Sequence, residues 1–153
     1  MQVMDALNPP NDEHWMQQAL KEARRAYAEE EVPIGAVVVA GGRVIGRGYN
    51  QTERLKDPTA HAEMLAITAA CEHLGAKYLK DCTLYVTLEP CPMCAGALGW
   101  AQITRVVYGA AEPRVGYTRK APQVLHPRTE VTRGVLAEEC AALMQAFFQA
   151  RRG

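Results

Sequence analysis

Apolar residues change their period several times along the chain, and each change marks an element. From Asn11 or Asp12 to about Glu30 they recur at Trp15, Met16, Ala19, Leu20, Ala23 and Tyr27, the spacing of one helical face. Asn11 or Asp12 can cap that helix, and Asp12 and Glu13 suit its positive end. Pro33 to Ala40 is a nearly unbroken apolar run that reads as a strand, and Gly41-Gly42 turns it into a second, Arg43 to Tyr49. A polar loop, Asn50 to Pro58, leads into a helix from Thr59 or Ala60 to Leu74, which Gly75 stops. Thr83 to Leu88 is a strand by its β-branched and aromatic content, and Glu89-Pro90 ends it. A short helix over Cys91 to Trp100 and a strand over Ile103 to Tyr108 follow. An irregular basic stretch with Pro113, Pro122 and Pro127 comes next, then a short strand near Glu130 to Thr132 and a last helix, Ala137 to Arg151.

Strands alternating with helices predict an α/β fold, a mixed sheet with helices on both faces. The 153 residues suit a single domain over 1–153, with 1–10, ending Asn8-Pro9-Pro10, as a loose lead-in. Hydrophobic residues at 48% and charged residues at 22% exclude a disordered or collagen-like chain. The longest uncharged run, Pro90 to Thr104, has 15 residues and two prolines, short of the roughly 20 that a membrane span needs. The first residues lack the basic start and apolar stretch of a secretory signal, which predicts a cytoplasmic protein. Five cysteines, an odd number, argue against a disulfide framework; Cys71, Cys82 and Cys140 read as buried inert thiols. Net charge is zero but uneven. Residues 1–31 carry three basic against seven acidic side chains, 32–56 four against one, and 105–133 six against two. Two basic segments can meet as one patch for a nucleic acid, although solvated charge is the simpler reading.

Two short runs carry chemistry: His61-Ala62-Glu63 and Pro90-Cys91-Pro92-Met93-Cys94. Each falls where a loop or strand gives way to a helix, so two helix starts can converge. Imidazole and thiolate are ligands zinc prefers, and Cys91 and Cys94, three apart, project from one helical face. A helix N-terminus also favours thiolate over thiol. A lone histidine at a helix start is usually a local hydrogen-bonding group, and two nearby cysteines can be a mere thiol pair. Together the runs are far more specific. Three ligands leave one zinc position open to water, as in catalytic rather than structural sites. Glu63 cannot easily reach the same metal but can reach such a water as a proton shuttle; otherwise it is a surface acid of the first helical turn.

H-x-E followed by P-C-x-x-C is the pattern of the zinc nucleobase deaminases. The likeness extends over Glu31 to Val37, Asn50, Asp57 to Glu63, Thr87 to Ala97, Val106 to Ala110 and Gly134 to Arg152. Across these stretches the chain resembles the bacterial tRNA-specific adenosine deaminases of the cytidine deaminase-like superfamily. The resemblance implies a three-layer α/β/α fold with a mixed sheet of about five strands. It implies a homodimer that converts adenosine at the wobble position of a tRNA anticodon loop to inosine. By this likeness His61, Cys91 and Cys94 hold one Zn2+ per chain, whose hydroxide attacks adenine C6, and Glu63 moves the protons. Asn50 would contact the flipped base, or else be a turn residue. Phe147-Phe148 and Arg151-Arg152 would lie near the RNA, with Phe147 equally suited to the core. One stretch departs from the family: where it has an Asp, a Lys-Thr-Gly and small residues, residues 110–122 read Ala110-Ala111-Glu112-Pro113-Arg114-Val115-Gly116-Tyr117-Thr118-Arg119-Lys120-Ala121-Pro122.

Two other readings make different demands. A deaminase of a free base or nucleoside, such as guanine or cytosine, uses the same zinc chemistry but needs no phosphate contacts. A non-enzymatic zinc or RNA-binding module needs a fourth protein ligand, for which Cys71, Cys82 or Cys140 would serve, and gives Glu63 no role.

Overall fold

The structure is a computed structural model that describes residues 11–152; the expected lead-in, 1–10, lies outside them. Helix α1 (Asp12–Ala28) is capped by Asn11, whose side-chain oxygen accepts from the His14 N–H at 3.1 Å. It stops two residues before the expected Glu30, because Glu30 takes a left-handed φ of 62° and turns the chain back. Its buried face is the expected stripe, except that Tyr27 is only half-buried. Strands β1 (Gly35–Ala40) and β2 (Arg43–Tyr49) form the antiparallel hairpin, with a bulge between Val38 and Val39. Then come α2 (Thr52–Leu55), α3 (Ala62–Leu74), β3 (Thr83–Leu88), α4 (Pro92–Ala101) and β4 (Arg105–Ala110). The chain finishes with α5 (Tyr117–Lys120), β5 (Glu130–Arg133) and α6 (Ala137–Arg152).

The five strands lie in the order β2-β1-β3-β4-β5, antiparallel across β2-β1-β3 and parallel across β3-β4-β5. Alternate side chains face opposite ways, so each strand feeds two cores. Val37, Val39, Tyr85 and Val107 pack against Trp15, Met16 and Leu20 of α1 and Cys140 of α6. Ala36, Val38, Leu84, Val86 and Val106 pack against the alanines of α3 and Ala95 and Leu98 of α4. This is the mixed three-layer sheet that the alternation of elements predicts. Strand β4 starts later than expected because Gln102, at φ 53°, turns the chain before Ile103, which is buried from a loop. Cys82 and Cys140 are buried as expected, and burial pushes the Cys140 thiol up to about 12; Cys71 is only half-buried, a correction to its reading.

Helix α3 lies unusually close to β2. A Cβ at Gly46 or Gly48 would overlap the carbonyl oxygens of Ala66 and Ala62. Glycines on the strand and Ala62, Ala66 and Ala70 on the helix let backbone meet backbone. The short helices α2 and α5 fall in stretches that read as loops. Neither has a side-chain cap of its own, since Gln51 and Gly116 make none. Buried Glu31 instead accepts from the N–H groups of Glu53 (3.1 Å) and Arg54 (2.7 Å), and Glu89 serves α5 in the same way.

The first described helix is tied to the middle of the chain, and the last helix is tied back to the first. Asp12 accepts two hydrogen bonds from Arg105 (2.8 and 2.7 Å) and one from the Tyr85 hydroxyl (2.8 Å). Arg105 also donates to Thr132 Oγ1 at 2.9 Å, so one cluster joins α1, β3, β4 and β5. Near the C-terminus Phe147 is buried edge-on against Tyr27, and Arg151 stacks 4.1 Å from the Phe147 ring centre. Arg151 also donates to the Glu30 carbonyl at 2.7 Å.

The Arg105 guanidinium holds the Asp12 carboxyl below the ordinary carboxylate range. A carboxyl whose pKa is lower folded than unfolded stabilises the fold above its unfolded value, and that contribution is lost as pH falls through the folded value. Asp12→Asn should therefore lower unfolding free energy by about 1–3 kcal/mol at pH 7. The difference from wild type should begin to shrink below about pH 4, where the unfolded carboxyl protonates, and should be gone only once pH falls through the lower native value. Urea titrations at several pH values check both statements.

Candidate active site

His61 and Cys91 occupy the N-cap positions of α3 and α4, with extended backbones and no side-chain capping bond. Serine, threonine, asparagine or aspartate would satisfy the free N–H groups there; imidazole and thiol leave them to shape the field of the site. Asp57 prepares the approach to His61: its carboxylate accepts from the Thr59 N–H (2.8 Å) and hydroxyl (2.7 Å). The His61 N–H then donates to the Thr59 carbonyl at 2.7 Å, closing a tight turn immediately before α3. On the other arm, Pro92 takes the first turn of α4, where no intrahelical N–H bond is lost.

The two helix starts meet. His61 Nδ1 lies 3.6 Å from Cys91 Sγ and 3.5 Å from Cys94 Sγ. Zinc bonds of about 2.0–2.1 Å to nitrogen and 2.3 Å to sulfur, at a tetrahedral angle, separate those donors by about 3.6 Å. The donor set and its spacing therefore fit zinc. Among the described residues no fourth His, Cys, Asp or Glu joins the group, so Cys71, Cys82 and Cys140 do not close it. That is the three-ligand arrangement of a catalytic site.

Its electrostatics favour a bound cation. Cys91 is pushed down to about 4, because its sulfur accepts from Cys94 and His61. Cys94 is pushed far up, because its proton is held against Cys91 in a buried setting, and the pair shares one proton that a metal would displace. His61 is raised, chiefly by its hydrogen bond with Cys91. Glu63 is 4% exposed, and burial pushes its carboxyl up to about 7. It lies beside Cys91, Cys94 and His61 without belonging to the ligand group.

The other expected site residues are divided. Asn50 is buried, and the Gln51 N–H bonds the Ala60 carbonyl at 3.0 Å, bringing the Asn50 turn beside His61. Both ends of its amide have partners within the chain, the Val32 carbonyl and the Thr52 N–H, each at 3.4 Å. Phe148, Arg151 and Arg152 line one cleft of about 810 Å³ together with Leu88, Glu112 and Arg114. Phe147 is core. Arg151 already serves the fold through Phe147 and Glu30, whereas Arg152 is exposed. Sequence reasoning misses Glu31 and Glu89, both buried and both organising loops beside the site. The signal available for Glu89 is a lone acid between an apolar strand and Pro90.

Residues 9–110 match the family model of the cytidine and deoxycytidylate deaminase zinc-binding region. A tRNA-specific adenosine deaminase of Bacillus subtilis is 46% identical over 146 residues, covering 92% of this chain and 91% of that protein. A solved structure from work on A-to-I editing by tRNA:A34 deaminases at the wobble position superimposes with a TM-score of 0.79. It is 46% identical, over 85% of this chain and 98% of its own. A guanine deaminase of Bacillus subtilis superimposes with a TM-score of 0.66 at 44% identity, covering 68% of this chain and 67% of its own.

Cys94→Ser should lower zinc affinity by more than about tenfold and reduce the melting temperature, since metal binding contributes to folding free energy. Elemental analysis of dialysed protein beside a thermal melt is the check. Full zinc retention would remove Cys94 from the ligand set.

Proposed function

The chain belongs to the zinc-binding cytidine and deoxycytidylate deaminase family, and from that premise we propose that it converts wobble adenosine of a tRNA anticodon loop to inosine. The observation that carries this reading is the cleft beyond the matched family region. The catalytic cluster lies within residues 61–94, whereas the cleft is built largely from residues 110–114 and α6. The similarity to the tRNA-specific adenosine deaminase, 46% identity over 92% of the chain, extends beyond the matched family region. The cleft offers an exposed aromatic ring, Phe148, and the cations Arg114, Arg151 and Arg152. Rings stack unpaired bases and cations meet phosphates, so this surface suits a single-stranded loop.

His61, Cys91 and Cys94 would hold the metal; zinc, when bound, supplies Lewis-acid activation of water. Glu63 takes one proton from the attacking water and gives it to ring N1, then takes the remaining proton from the new C6 hydroxyl and gives it to the departing amine. The C6–N bond breaks, a C6 carbonyl forms, and ammonia leaves. Burial raises the proton affinity of Glu63 toward neutrality, which suits a group that must both accept and release a proton. Asn50, in its turn beside His61, would orient the base edge. The reaction is assigned to one unit, 1–153, acting in the cytoplasm, where its free thiols stay reduced. No described helix is long and apolar enough to cross a membrane.

An anticodon stem-loop with a wobble adenosine should be deaminated in preference to guanine, cytosine or free adenosine, with binding that weakens as salt rises. Four phosphate contacts give a log–log slope of about −3 at about −0.7 per contact. Glu63→Ala should keep its zinc and lose about 10²–10⁴-fold in turnover. Brisk turnover of guanine beside salt-indifferent binding of the stem-loop would transfer the chain to the free-base reading.

The working unit is a homodimer formed through the outer face of α4. Trp100 is 85% exposed there, and Tyr78 and Met93 are also exposed, an apolar patch suited to a second copy. Light scattering should give twice the 16.8 kDa chain mass, and Trp100→Glu should return it to that of one chain.

A further inference from the structure

Besides Glu63, three glutamates are buried among the described residues: Glu22, Glu31 and Glu89. Glu22 pairs with Arg47 and Glu31 caps α2, so both stay local to their walls of the fold. Glu89 joins two regions of different function. It sits between β3 and the ligand Cys91, and all its side-chain hydrogen bonds are to the 112–118 segment that departs from the family pattern. One carboxylate oxygen accepts from the Glu112 N–H at 2.9 Å. The other accepts from the Thr118 N–H at 3.0 Å and the Thr118 hydroxyl at 2.6 Å. Beside it, the Tyr117 N–H donates to the Pro90 carbonyl at 2.9 Å.

Tyr117 anchors the end of the segment in the core, and the Gly116 N–H closes a turn on the Glu112 carbonyl at 3.0 Å; Glu89 supplies the side-chain bonds that tie that turn to the end of β3. Pro113 and Gly116 interrupt the segment, and Val115 is 52% exposed. Gly116 is required by the approach itself, since a Cβ there would overlap the Glu89 carboxylate. Only a carboxylate presents two acceptor oxygens and no donor to this set of three donors. What Glu89 holds in place is a wall of the cleft: Glu112, which accepts from the Arg114 N–H at 2.9 Å, and Arg114, facing Phe148 and Arg152.

We propose that Glu89 is a positioning residue for RNA. It fixes the 112–118 wall in register with the metal-binding start of α4, and so sets affinity for the nucleotides flanking the target base. The proposal rests on the tRNA reading above. Glu89→Gln keeps the side-chain shape but turns an N–H group toward donors. It should raise KM for the anticodon stem-loop about tenfold, the effect of one or two lost charge-assisted hydrogen bonds. Zinc content should stay unchanged, kcat should stay within about twofold, and amide exchange across 111–120 should accelerate.

Thr118→Val, which removes one of the three bonds, should move KM the same way by about two- to threefold. Gly116→Ala should reproduce the Glu89→Gln pattern with the carboxylate intact, and these two variants carry the test if Glu89→Gln does not fold. A fall in kcat with KM unmoved, loss of zinc, or unaltered exchange across 111–120 would overturn the proposal. Its failure is distinct from failure of the tRNA reading. If wild type is active on the stem-loop and Glu89→Gln leaves KM unmoved, positioning is wrong; if wild type is inactive on the stem-loop, the tRNA reading falls and this proposal with it.

Discussion

A helix can approach a sheet only as closely as the side chains between them permit, and the site depends on that limit at β2. Gly46 and Gly48 remove the side chains from one face of the strand, and Ala62, Ala66 and Ala70 minimise them on α3. The backbones then lie in contact, and the first turn of α3, with His61 and Glu63, has little freedom to shift. Two donor atoms 3.5 Å apart on different helices need that rigidity, because zinc tolerates only small errors in ligand position. Cys91 is held differently, at the end of a buried strand by Pro90 and Pro92.

Electrostatics follow from the same placement. Two helix N-termini aim their free N–H groups at one buried point, and each cap position is given to a ligand rather than to a good capping residue. The caps missing from the two short helices are supplied from the interior, Glu31 for α2 and Glu89 for α5. The fold thus spends buried carboxylates on loops beside the site, where local chemistry is too weak to hold them.

The principal strands and long helices are legible in the sequence because burial on alternating or helical faces leaves a periodic trace. The His61, Glu63, Cys91 and Cys94 chemistry is legible because the ligand spacing has few other uses. Glu31 and Glu89 are not, since nothing local distinguishes a buried glutamate from a solvated one until its donors arrive from 22 to 29 positions away. Helices α2 and α5 are hidden for the same reason, as their caps lie outside their own sequences. Gly46 and Gly48 look like weaknesses in a strand until the helix that needs their absent side chains is seen. Arg151 reads as a free cation at a helix end, whereas it is also a tie between α6 and the turn after α1.

That tie, with the Asp12–Arg105 cluster, has a consequence for how the chain is made. The partners of α1 lie 93 positions downstream at Arg105, and the carbonyl of Glu30 waits 121 positions for Arg151. At synthesis rates of about 5–20 residues per second, the later partner is added roughly 6–24 s after Glu30. Until β5 ends at Arg133, the apolar face of Trp15, Met16 and Leu20 has no completed sheet to cover it. The nascent chain therefore presents an amphipathic helix to the cell well before it can present an enzyme, and holding factors that recognise such faces have their opportunity then.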